Sequence, residues 1–245
     1  MTTMSVAQKS RAAKVLAAAE ELVVKQGFKG VTMSAVAQRA HVGKGTPYLY
    51  WNTKEDLFLE IIARSLADVL HNLAVRVRAE PALAVAERLC VALAKAWLER
   101  PLVRALQVTD ADVLGALLDD PRAHAIAAES GPSAILRRLI PLWREHGTVR
   151  TDWSAEEQAA ALELLLIGYF AAQTRTISPG MAEDRAGALG MAEDRAGALG
   201  MSISAMLQAS QPTKADRVPL ANRVSDLLDE HARQLQNAQA EHRRD

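Results

Sequence analysis

TMSAVAQRAHVGKGTPYLYWNTKEDL, residues 32–57, is the stretch whose reading decides the fold. Thr32 is placed as an N-cap, because its hydroxyl can accept from a free backbone N–H, and Val31 and Val36 stand where a hydrophobic staple would close over it. A short helix is predicted from Met33 to about Ala40. The next helix should open at Val42 or Gly43 and carry Lys44 to Tyr50, with Pro47 tolerated near its first turn, where few N–H bonds are lost. Asn52 or Thr53 would cap a longer helix from Lys54, whose first-turn Glu55 and Asp56 favour the positive end of the helix dipole. Leu57, Phe58, Ile61 and Ile62 supply its inward face. Upstream, Ala12, Val15, Leu16, Ala19, Leu22 and Val23 form one apolar stripe of a helix from Arg11 to Gln26, stopped by Gly27.

Three short helices closed by a fourth make a helix-turn-helix unit. A helix of about two turns fits the ~12 Å major groove of DNA while the preceding helix braces against phosphates. Lys44, Thr46, Tyr48 and Tyr50 mark the third helix as the candidate reader. Charge agrees with this placement. Residues 1–54 hold eight Lys/Arg against two acids, whereas the remainder holds 21 against 27, although the whole chain is neutral. A basic end and an acidic body suggest a polyanion-binding segment; a solvated basic face is the alternative on charge alone.

The 245 residues are 49% hydrophobic but only 4% aromatic. Ala and Leu dominate and β-branched runs are missing, so the fold class expected is all-α. Cys90 stands alone, which excludes a disulfide framework and a cysteine zinc site and suits a reducing cytoplasm. Ala159–Ala172 is the most apolar run, but Glu163 interrupts it and it falls short of the ~20 residues that a membrane span needs. No apolar signal core opens the chain, and the expectation is a cytoplasmic protein with no membrane partner.

Beyond residue 80, prolines and Gly147 punctuate further helices: Ala82–Glu99, Pro101–Val108, Ala111–Leu118, Ala134–His146, and an apolar helix opening at Ser154 or Ala155. The last is apolar on more than one face and should be central or at a subunit interface. MAEDRAGALG at 181–190 recurs unchanged at 191–200. Ten residues turn a helix by about 1000°, so the copies would point about 80° apart. Residues 178–200 are therefore read as an exposed connection lengthened by duplication, against a competing helix from Met181 to Gln208. Residues 211–245 read as a polar amphipathic helix or tail.

Residues 10–62 resemble the DNA-binding domain of the tetracycline-repressor (TetR) family. The resemblance rests on the Val36-Ala37 pair, the turn, Thr46 with Tyr48, and Lys54 opening the fourth helix. The chain departs from the family pattern at His41 (usually Gly), Gly43 (a Ser-like cap), Pro47 (a branched aliphatic) and Trp51 (Phe). The resemblance implies that Thr46 approaches base edges, that Gly45 lets the backbone come close, and that Tyr48 and Lys54 bond phosphates. It also implies another phosphate at Thr32, with Lys44 and Tyr50 as further contacts. Core filling is the alternative for Tyr48 and Tyr50, and an exposed helix-start lysine for Lys54.

The resemblance further implies a homodimer with a helical effector chamber, joined through Ala159–Ala172 and a helix near 200–210; a purely internal helix is the alternative. Trp97, Leu106, Leu114, Trp143 and Tyr169 are candidate effector-lining residues, with ordinary core packing as the competing role. Few aromatics and few buried charges favour an apolar effector. Asp110 and Asp112 are candidates for polarity in that chamber, with helix capping by Asp110 as the favoured alternative. The domains expected are 8–64 for DNA binding, 65–210 for effector binding and dimerisation, and 211–245 as the C-terminal helix or tail. The function expected is a repressor released from a pseudo-palindromic operator on double-stranded DNA by a small-molecule effector. No HExxH, GxSxG, phosphate-cradling loop or complete calcium loop occurs, so no enzyme activity, cofactor or metal is expected. The rival is a helical scaffold or ligand-binding protein without specific DNA binding.

Overall fold

The computed structural model describes residues 6–107, 110–174 and 185–242. Within them the helices are α1 (Val6–Gly30), α2 (Met33–Arg39), α3 (Lys54–Ala79), α4 (Ala86–Leu98), α5 (Pro101–Gln107), α6 (Ala111–Leu114), α7 (Pro121–Ser130), α8 (Pro132–Glu145), α9 (Ala155–Thr174), α10 (Arg185–Leu207) and α11 (Lys214–His242). No strand occurs among the described residues, as the composition led us to expect. The chain divides into two units. The first holds the described residues to Ser65, Arg100–Ala127 and those from Leu235; the second holds Leu66–Glu99 and Ala128–Gln234.

In the first unit, α1 buries the predicted stripe, Ala12, Val15, Leu16, Ala19 and Val23. Gly27 breaks its helical run at φ 69°, ψ 168°, a left-handed value reached freely only without a Cβ. Phe28 follows, buried and edge-on to Phe58 at 5.3 Å. Thr32 caps α2 by accepting from the Ala35 N–H at 3.1 Å. The far end of α2 closes with two crossed bonds, Val42 N–H to the Ala37 carbonyl at 3.0 Å and His41 N–H to that of Gln38 at 3.2 Å. This is a Schellman turn, and it forces His41 to φ 54°.

The third helix expected over residues 44–50 forms only as a single 3-10 turn, Pro47–Leu49. Gly43 and Gly45 disfavour helix ahead of it, and Pro47 has no N–H to continue an α-helical ladder. The backbone bonds instead run three residues back: Thr46 N–H to Gly43 at 2.8 Å, Leu49 N–H to Thr46 at 3.1 Å, Tyr50 N–H to Pro47 at 3.0 Å. A reciprocal capping box opens α3. Thr53 N–H donates to Asp56 Oδ2 at 3.0 Å, and Asp56 N–H to Thr53 Oγ1 at 3.1 Å.

Segment 100–127 groups with the first unit because α1 packs on α5, α6 and the 3-10 turn Gly115–Asp119. Asp110 caps α6 by accepting from the Val113 N–H at 3.1 Å. Gly115, at φ 52°, ends α6 earlier than expected; a Cβ there would lie 3.4 Å from the Phe28 ring.

In the second unit, α8 packs on α9, and α10 on both α4 and α9. The reading of 178–200 as a connection is corrected over its described part, since residues 185–200 belong to α10. Ala, Leu, Arg and Met outnumber the glycines there, and helix propensity together with packing prevails. The second copy supplies the contact: Ala196 and Leu199 are buried, and a Cβ at Gly200 would lie 3.4 Å from Val91 Cγ2. Residues 178–184 lie outside the described residues. Residues 214–242 form one helix, burying Leu220, Val224, Leu227 and Leu228.

Candidate nucleic-acid interface

Pro47 is buried beneath the 3-10 turn and Trp51, 3% exposed, follows it. The Trp51 indole donates to Glu60 Oε2 at 2.7 Å. Glu60 is 2% exposed and also faces Arg64, with its Oε1 3.6 Å from Nε. Trp51 thus gives the buried carboxylate a donor that the phenylalanine expected from the resemblance would lack. Between these anchors the turn presents its other side chains outward. Tyr48 is 56% and Leu49 78% exposed, Lys44 and Gly45 are exposed, and Thr46 and Tyr50 are half-buried. Tyr50 leans on Trp51, with ring centroids 5.4 Å apart. The residues named for Lys44, Gly45, Thr46, Tyr48 and Tyr50 therefore lie on one short connected segment.

Leu49 was missed. On the single 3-10 turn Pro47–Leu49, at about 120° per residue, Leu49 lies about 240° round from the buried Pro47 and is left outside. The proline placed after two glycines was the signal that could have revealed it.

Thr32 is exposed at the start of α2, and its hydroxyl, already accepting from Ala35, keeps its own proton to donate. Lys54 is half-buried. Its Nζ donates to the carbonyls of Phe28 at 2.9 Å and Val31 at 3.1 Å and lies 3.9 Å from the Phe28 ring centroid. The lysine therefore ties the start of α3 to the end of α1, leaving one of three ammonium protons for another acceptor.

Charge pairs brace this segment. Glu21 on α1 bonds Arg39 on α2 and, at 2.7 Å, Lys25. These partners hold its carboxyl down at about 2. Arg122 bonds Asp56 Oδ1 at 2.6 Å and Asp120 Oδ2 at 2.8 Å. Burial pushes Asp56 up, but its bonds to Arg122 and Thr53 outweigh this and set its carboxyl below the ordinary range. Asp120 is lowered chiefly by Arg122.

The candidate effector residues divide between the units. Leu106, half-buried, and Leu114, fully buried, belong to the first. In the second, Trp97 meets Phe170 edge-on at 6.3 Å and Phe170 meets Tyr169 at 5.9 Å, so these three form one aromatic cluster. Burial pushes the Tyr169 phenol up. Trp143 is fully buried and donates to the Ala84 carbonyl at 2.8 Å, whereas the buried Trp97 indole N–H has no acceptor among the described residues.

Residues 15–61 match the family model of bacterial regulatory proteins, tetR family. Over 58 residues the chain is 43% identical to the HTH-type transcriptional repressor KstR of Rhodococcus jostii, covering 24% of this chain and 27% of that protein. Over 55 residues it is 42% identical to the HTH-type transcriptional regulator YhgD of Bacillus subtilis, covering 22% of this chain and 29% of that protein. The match thus spans less than a third of either relative's own length. Beyond that segment the likeness is one of fold: the reduced form of NemR from E. coli superimposes with a TM-score of 0.55 at 16% identity, covering 82% of this chain and 100% of that one. No helix among the described residues is long and apolar enough to cross a membrane. Residues 15–61 thus resemble the matching segment of the tetR family of bacterial regulatory proteins, and the chain shares an all-helical fold with NemR along most of its length.

Proposed function

We propose that the chain is a repressor that binds an operator on duplex DNA as a homodimer and is released by a small-molecule effector. The observation that carries the reading is the outward face of residues 44–50. Lys44, Gly45, Tyr48 and Leu49 are exposed above a buried Pro47 and Trp51, within a segment of strong positive charge. In this reading Thr46 and Leu49 approach base edges, Leu49 offering an apolar contact to a thymine methyl, while Lys44, Tyr48, Tyr50, Thr32 and the remaining proton of Lys54 meet phosphates.

The homodimer would form through the outer face of α9. Leu164 is 70% and Ile167 55% exposed, and a Cβ at Gly168 would meet nothing within 4 Å. Large apolar side chains so placed on the most apolar helix favour burial against a second copy. The effector would lie beside Trp97 and Tyr169. A buried indole N–H without an acceptor costs about 1–3 kcal/mol, and an acceptor atom on a bound molecule would relieve it.

Titrating a library of duplexes at several salt concentrations tests the reading. Binding should weaken with a log–log slope of about −0.9 per phosphate contacted. Thr46→Ala should relax sequence preference and Lys44→Ala should weaken all duplexes alike. A chain that binds no duplex, or two variants indistinguishable from the parent, would refute the assignment and favour a helical scaffold.

A further inference from the structure

On the second unit, the C-terminal part of α3 together with α4 and α10 borders an open groove of about 420 Å3. Arg76 of α3 and Arg88 and Lys95 of α4 line it, with Val91 and Met201 among its apolar residues. Seven residues apart, Arg88 and Lys95 share one face of α4. None of the three cations forms an ion pair among the described residues, whereas Arg78, Arg138, Arg150 and Arg223 of the same unit each hold a carboxylate. Glu87 also lines the groove, but its Oε1 accepts from Gln211 Nε2 at 3.2 Å. Three cations against one carboxylate leave this concave, partly apolar surface with a positive excess.

We propose that the groove binds a small amphipathic carboxylate, its apolar body against Val91 and Met201 and its head group among Arg76, Arg88 and Lys95. Two features of the groove decide the ligand class. Its volume falls in the range of about 300–1,000 Å3 typical of small-molecule sites. Positive charge along a low-dielectric wall focuses potential on an anion, and a charge-assisted bond to a guanidinium is stronger than a neutral one. A neutral apolar molecule would leave the cations unanswered; a purely polar anion would leave the floor uncovered. The site stands apart from the effector position beside Trp97 and does not depend on the DNA-binding reading.

Calorimetric titration of the full chain with decanoate, kept below its micelle-forming concentration, tests the proposal, with decanol as the uncharged control. Decanoate should bind more tightly than decanol. The double variant Arg88→Glu, Lys95→Glu should weaken decanoate binding by about tenfold or more and leave decanol unaffected. Both positions are exposed, and helical circular dichroism of the variant checks that the fold is kept. Equal binding of decanoate and decanol, or an unchanged decanoate Kd in the variant, would overturn the assignment. Because operator binding is measured separately, failure here leaves the repressor reading untouched.

Discussion

His41 holds φ 54° at the end of α2, a conformation that costs a non-glycine residue about 1–2 kcal/mol. The chain accepts this cost where the family resemblance expects glycine. His41→Gly should therefore raise stability by about 0.5–1 kcal/mol, the gain being reduced by the greater entropy of glycine in the unfolded chain. Urea unfolding measures it as a higher midpoint at unchanged slope; a lower midpoint would mean that the imidazole makes a contact worth more than the strain. Cys90 is a second residue whose environment fixes its behaviour. It is buried, and burial, with Glu87 nearby, pushes its thiol up to about 12. A thiol-specific reagent at neutral pH should leave it unlabelled in the folded protein and label it on unfolding.

At the scale of the element, the joint between the turn and α3 depends on buried polar bonds. Trp51→Phe removes the indole donor from Glu60 and should cost about 1.5–3 kcal/mol, the usual range for a hydrogen bond to a charged group. Nearby, Arg122 ties the capping box of α3 to Asp120. Asp56 and Asp120 both titrate below their ordinary range. Their stabilisation is accordingly complete above the unfolded pKa of about 4 and is lost as pH falls through the lower folded values. Acid unfolding should thus begin below about pH 4, and Arg122→Ala should flatten the dependence of stability on pH in that window.

The elements also show what was legible in the sequence. Periodicity and caps located α1, α2, the start of α3 and the Gly147 stop of α8, because each is a local signal: an apolar stripe, a Thr hydroxyl within reach of an N–H, a glycine at positive φ. The connection between α2 and α3 was misjudged, since glycine and proline together convert a nominal two-turn helix into one 3-10 turn, which leaves Leu49 exposed. The inward bond of Lys54 was illegible for another reason. Its partners are the carbonyls of Phe28 and Val31, and the bend that presents them depends on Gly27 leaving the helical conformation.

At the scale of the whole molecule, assembly is the main expectation to be tested. Leu164→Asp combined with Ile167→Asp should convert the proposed homodimer to monomer in sedimentation while keeping helical content, and with it reduce affinity for the proposed operator by more than tenfold, because two linked reading turns bind far better than one. A double variant that sediments as the parent does would place the interface elsewhere.

The duplicated decapeptide has a consequence for chain length. Cutting out residues 181–190 or residues 191–200 produces one and the same polypeptide, and whichever copy stays adjoins Met201 and inherits the seat against α4. Arg195 Nη1 reaches the Ala172 carbonyl at 3.0 Å, which ties α10 to the end of α9. After the excision about a dozen residues would still separate Ala172 from the arginine that makes this bond, ample for a helix-to-helix connection. The trimmed protein should melt at the parent's temperature and sediment as the parent does, so that loss of a copy from the gene would pass unnoticed by the fold.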